Sequence, residues 1–193
     1  MADAFNVGTL RAQVETFGGF AKGNRYNVTF TKYPAGLTGA AVVANLPYLC
    51  ESASLPTKSL ASTPHDIYGP PREMPYRETF TDAALNFILD DAFTVKKFFD
   101  EWQTKIINPI TNNPGYYRDY VGTINISRLS NDATSFTDAN SSYNIELREA
   151  YPSAVGEIAL GHTQGNEILR LSVTFKYRKW LSTFEGGEFS GQR

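Results

Sequence analysis

The chain has 193 residues, a formal net charge of −2, and 20% charged against 41% hydrophobic residues, which suits one domain with a real core and excludes two comfortable ones. A slightly acidic chain without a basic block excludes a protein that grips nucleic acid through clustered phosphate contacts, and no apolar run approaches the length that spans a bilayer. The single cysteine excludes an internal disulfide, and 13 Phe with 11 Tyr bias the chain towards sheet.

The opening segment 1–20, MADAFNVGTLRAQVETFGGF, has neither a basic n-region nor an apolar h-region, so the expectation is a soluble protein without a cleaved export signal. GGFAKG at 18–23 precedes a strand instead of following one, and reads as a flexible joint, not a phosphate cradle. In RYNVTFT, Tyr26, Val28 and Phe30 alternate with polar neighbours as a half-buried strand does. Cys50 stands beside Glu51, an environment that disfavours a thiolate, and reads as a small buried residue.

Pro56, Pro64, Pro70, Pro71 and Pro75 crowd the next stretch. Proline fixes φ, removes a ladder donor and pushes the preceding residue to extended geometry, so this stretch is expected to be neither a central strand nor a helix. It also carries Ile67, Tyr68, Met74 and Tyr76. The reading is an exposed, stiff, extended arm from about Leu55 to Tyr76, which loses little entropy on docking. The alternative is an Ω-type loop folded back over its own sheet.

Leu85, Phe87 and Leu89 in ALNFILD predict another strand. A helix follows over 92–107, where Val95, Phe98, Phe99, Trp102 and Ile106 recur at helical spacing, Asp90 or Asp91 caps the first turn, and Asn108-Pro109 ends it. TNNPGYYRD and SNDATSFTDANSS read as surface loops. YVGTINIS and YNIELRE predict strands, the second with Tyr143, Ile145 and Leu147 opposite Asn144, Glu146 and Arg148. LRLSVTFKYRK is the clearest of all, with Leu169, Leu171, Val173, Phe175 and Tyr177 on one face and Arg170, Ser172, Thr174, Lys176 and Arg178 on the other. EGGEFSG opens a flexible C-terminal tail, 185–193. The predicted fold is mainly β: an antiparallel sandwich or barrel with one flanking α-helix and a long proline-rich arm, in a single domain over 1–193.

No chemistry is legible. His65 and His162 lack partners at ligand spacing, and no nucleophile elbow, P-loop or H-E-x-x-H motif occurs. The expectation is no catalytic, metal or cofactor site, and a function carried by a surface.

Four segments, ESASLPTKSLASTPHDIYGPPREMPYRETF (51–80), VKKFFDEWQ (95–103), REAYPSAVGEIAL (148–160) and LSVTFKYRKW (171–180), with FGGFAKGNRYNVTF (17–30) as opening, stand in one order over most of the chain. In that order they resemble the tail tube proteins of T4-like contractile-tailed bacteriophages. The resemblance implies a β-barrel-like subunit that forms hexameric rings stacked into a hollow tube inside a contractile sheath. It implies as partners the chain itself, the sheath, baseplate and tail-terminator proteins, a tape-measure protein, and linear double-stranded DNA in the bore without sequence-specific binding. It implies a virion component made in the host cytoplasm, with no catalysis and no cofactor. Under it, the arm bridges one ring to the next, and Leu55, Ile67, Tyr68, Pro70, Pro71, Arg72, Met74 and Tyr76 are the expected contact residues. The polar strand face Arg170, Ser172, Thr174 and Lys176 lines the bore or faces the sheath. Alternatives are a baseplate protein that initiates or terminates the tube, the tube subunit of a phage-like injection particle, and a soluble β-sandwich binding module.

Overall fold

The structure is a computed structural model that describes residues 6–66, 68–133, 141–162, 165 and 167–183. Seven strands, β1 (Tyr26–Lys32), β2 (Cys50–Ala53), β5 (Ala83–Ile88), β6 (Gly122–Leu129), β7 (Ser141–Val155), β8 (Arg170–Lys176) and β9 (Lys179–Thr183), make one antiparallel sheet system. Two more, β3 (Lys58–His65) and β4 (Arg72–Phe80), pair only with each other.

The seven-stranded system folds over itself because β7 is long enough to serve two sheets. Its first part pairs with β6 on one edge and β9 on the other, while Tyr151–Val155 pairs with β8. The ladder slips between Gly122↔Ala150 and Thr123↔Arg148, which leaves Glu149 as an extra residue at φ 56°. A bulge of this kind bends a strand and sharpens its twist. The bend is held by side chains: Arg178 Nη1 and Tyr117 Oη donate to the two Glu149 carboxylate oxygens at 2.9 Å each. The Arg178 bond first, then that from Tyr117, keeps this carboxyl below its ordinary value, while partial burial opposes them.

The strand order β1-β6-β7-β8-β5-β2 is open, with β1 and β2 at its ends. Tyr26 Oη crosses the seam to donate to the Cys50 carbonyl at 2.8 Å. Cys50 itself is buried, and burial pushes its thiol up to about 12.

The core lies between the sheets and under a helix, Thr94–Ile106, whose Val95, Phe98, Phe99 and Trp102 have no exposed surface. Their rings meet Phe30 of one sheet and Phe87 and Phe175 of the other: Phe87–Phe99 centroids lie 5.3 Å apart, Phe99–Phe175 5.8 Å, and Phe30–Phe98 6.5 Å. Burying each such side chain contributes about 1.5–3 kcal/mol, and edge-to-face pairing adds about 0.5–1.5 kcal/mol per pair. Trp102 Nε1 donates to the Tyr120 carbonyl at 2.8 Å, so the largest buried ring keeps its polar atom satisfied.

The one flanking helix is as expected, and further helical segments accompany it. A ten-residue helix, Val7–Thr16, lies in the opening segment with no buried residue, and short helices span Leu46–Leu49 and Tyr117–Tyr120. A 3-10 helix over Thr38–Ala44 packs beside the Thr94–Ile106 helix, with Leu37, Val42 and Leu46 buried. Thr38 ties it down, donating from its backbone N to Glu101 Oε2 at 2.8 Å and from its hydroxyl to Glu101 Oε1. In chain order the helices are α1 (Val7–Thr16), α2 (Leu46–Leu49), α3 (Thr94–Ile106) and α4 (Tyr117–Tyr120).

Candidate interaction surface

The proline-rich stretch is a β-hairpin that prolongs the β2–β5 pair out of the body. Ser54 N donates to the Ala84 carbonyl at 3.1 Å and Thr81 N to the Thr57 carbonyl at 3.2 Å, and the ladder then runs from Lys58↔Phe80 to His65↔Arg72. At the 3.2–3.4 Å rise of a strand, eight residues carry the tip about 26 Å beyond the root. Prolines survive here because both strands are edges: Pro64 faces Glu73 and Pro75 faces Ser62 without leaving a central ladder short of a donor. The segment therefore avoids a central strand, as proline requires. Its extension comes from cross-strand pairing, not from proline alone, which corrects the expected origin of its stiffness.

Neither does it fold back. From Lys58 to Thr79 every described side chain is exposed except Ala61, which is intermediate. The root is anchored: the Phe80 ring lies 6.0 Å from Tyr177 and 6.5 Å from Trp180, and Tyr177 Oη donates to the Thr81 carbonyl at 2.6 Å. Burial, and then the nearby Asp82 charge, push the Tyr177 phenol up to about 12, so it stays a neutral donor.

The expected contact residues divide into three groups. Tyr68, Pro70 and Pro71 sit in the exposed turn, which Gly69 closes at φ 85°. Arg72, Met74 and Tyr76 lie on β4, Met74 being 48% and Tyr76 69% exposed. Leu55 is not on the hairpin but at its root, lining a cleft of about 580 Å³ at the seam with Lys22, Tyr26, Glu51 and Arg128. Ile67 lies outside the described residues. Sequence reasoning missed Leu60, 60% exposed on β3, and the anchoring role of Phe80. The signal was present in the polar–apolar alternation of KSLAST, which the prolines that follow obscured.

Strand alternation sorts the hairpin into two faces, because residues directly opposite share a face. One carries Leu60, Pro64 and Pro75 with the Lys58–Glu78 ion pair (2.7 Å) and Glu73, which accepts from Ser62 Oγ at 2.7 Å. The other carries Ala61↔Arg77, Thr63↔Met74 and His65↔Arg72. Among the described residues no group of three His, Cys, Asp or Glu is placed to hold a metal ion, and no helix is long and apolar enough to cross a membrane.

A family model described as phage tail tube protein matches residues 21–183. The tail tube protein gp19 of Enterobacteria phage T4 is 24% identical over 139 residues, which cover 70% of this chain and 81% of that protein. Among solved structures, the sheath–tube complex of an extracellular contractile injection system (PVC, extended state) contains a chain of TM-score 0.60 and 14% identity, the match covering 94% of this chain and 99% of that one. The tube-terminating cap of the anti-feeding prophage contains another of TM-score 0.61 and 16% identity, covering 95% and 97%. These last two likenesses are of fold.

Proposed function

This chain belongs to the phage tail tube protein family, and from that premise we propose that its copies assemble into hexameric rings, stacked to form the inner tube of a contractile tail. The tube is surrounded by sheath, starts on a baseplate and ends at a terminator. It holds a tape-measure protein and then linear double-stranded DNA, without sequence-specific contacts, and conducts the genome on ejection. The protein works as a virion part and not as a catalyst.

The observation that carries the reading is the exposed hairpin. A two-stranded sheet isolated from any third strand is marginal in water, and this one presents Leu60, Tyr68, Met74 and Tyr76 to solvent. Such a hairpin is explained by a neighbour that covers it. The unpaired outer edges of β1 and β2 supply the complementary need, since open edges are a liability that ring closure removes.

The test replaces residues 60–78 by Asn-Gly, a two-residue turn that closes the remaining Ser59↔Thr79 pair and keeps Phe80 on its anchors. Electron microscopy across a concentration series is expected to show tubes for the intact chain and separate rings for the shortened one, which keeps a cooperative thermal unfolding transition. Normal tubes from the shortened chain would remove the hairpin from stacking. The likeness to a tube-terminating cap favours one second reading, a terminator; an intact chain that yields single rings at every concentration would select it.

A further inference from the structure

The β5–β8–β7 sheet has two chemically different ends. The hairpin leaves from the end marked by Ala83↔Phe175 and Tyr151↔Lys176. At the opposite end the pairings are Ile88↔Arg170 and Val155↔Val173, extended by Leu89 N to the Leu169 carbonyl (3.0 Å) and Gly156 N to the Ser172 carbonyl (2.7 Å). Those bonds bring three chain segments together there, and each carries an exposed carboxylate: Asp91, Glu157 and Glu167. Arg170 at the same end is engaged by Glu51 at 2.6 Å. Asp90 is spent on α3, accepting from Thr94 N and Thr94 Oγ1 at 2.8 Å each. Ile168, next to Glu167 on the same segment, is 58% exposed.

The second hairpin face is the reciprocal pattern. Arg72 and Arg77 flank Met74, 48% exposed, and neither arginine makes an ion pair among the described residues. The two carboxylates of β4, Glu73 and Glu78, belong to the other face, where Ser62 and Lys58 engage them.

We infer that the Arg72–Met74–Arg77 face of the hairpin docks on the Asp91–Glu157–Glu167 end of a second copy, with Met74 against Ile168, so that stacking is head to tail and carries a polarity written in charge. This rests on the tube reading and names the contact within it. An apolar centre ringed by opposite charges fixes register, because a copy presented the wrong way round sets like charges against each other.

Two charge-reversed chains test it. Arg72→Glu with Arg77→Glu leaves both ends acidic; Asp91→Lys with Glu157→Lys and Glu167→Lys leaves both ends basic. Each alone is expected to form more than about tenfold fewer tubes, because like charges meet at every junction. Mixed in equal amounts, or combined in one chain, they are expected to recover tubes, since every junction again pairs opposite signs. Tube formation at wild-type level by either set alone overturns the contact. So does loss in both without recovery in the mixture and the combined chain, provided circular dichroism shows each folded. An intact chain that stays monomeric at all concentrations, with and without a baseplate nucleus, instead overturns the tube reading beneath it.

Discussion

At the scale of single residues, the tightest constraint is Gly122 at the start of β6. A Cβ built there falls 2.9 Å from two carbons of the Trp102 ring and closer still to the Lys32 carbonyl oxygen. The ring cannot retreat, because it is fully buried and its Nε1 is bonded to Tyr120. Gly122→Ala is therefore expected to destabilise the fold by about 2–3 kcal/mol, as overpacking of a dense core does. The check is a lower urea midpoint at unchanged slope.

At the scale of elements, α3 is the piece whose sequence speaks most plainly. Val95, Phe98, Phe99 and Trp102 announce its buried face by spacing alone, and Asp90 announces its start. The carboxyl acts from four residues ahead of Thr94, with Phe93 in the left-handed region between them. Partial desolvation pushes the Asp90 carboxyl upward, but the hydrogen bonds from Thr94 outweigh it and hold it below its ordinary 3.8. A carboxylate with a depressed folded value stabilises the fold fully above its unfolded value and loses that contribution as pH falls through the folded one. Asp90→Ala should thus cost about 1 kcal/mol at neutral pH. Denaturant midpoints of the two chains should converge as pH is lowered below 3.8.

Other elements left weaker traces. The strand β8 shows its alternation because Leu171, Val173 and Phe175 are buried and their neighbours are not. The helix α1 buries nothing, so no apolar face was selected strongly enough to read. The Thr38–Ala44 stretch, TGAAVVA, is short and uncharged and has no period long enough to detect. Pro152 and the charged run before it hide that β7 continues for 15 residues, and nothing in the sequence marks Glu149 as its bend. The pairing of β3 with β4 stayed hidden because proline's local rule is visible, whereas the ladder that satisfies it is not local.

At the scale of the whole molecule, the division between body and hairpin separates stability from association. The core draws on both sheets and α3, whereas the described hairpin residues beyond the root are exposed or, for Ala61, intermediate, and Phe80 anchors the root to the body. Tyr68→Asp together with Met74→Asp is accordingly expected to shift the melting temperature by less than about 2 °C, as exposed substitutions do. The same pair should cut sedimentable assembly by about tenfold, because each carboxylate must be desolvated at a contact. Equal assembly by the double variant would show that the tip and β4 carry none of the association.

The open seam between β1 and β2 has a mechanical consequence. A shell closed by a continuous ladder resists widening until several backbone bonds break together. At this seam the β1–β2 ladder is absent among the described residues, and Tyr26 reaches across with its phenol-to-carbonyl contact to Cys50, beside the cleft that Leu55 lines. Under circumferential load this shell is expected to yield, as a split collar does, at the unpaired line before the continuous β5–β8 ladder. The protomer thus has a compliant side and a rigid side, and the root of the hairpin sits where the two meet.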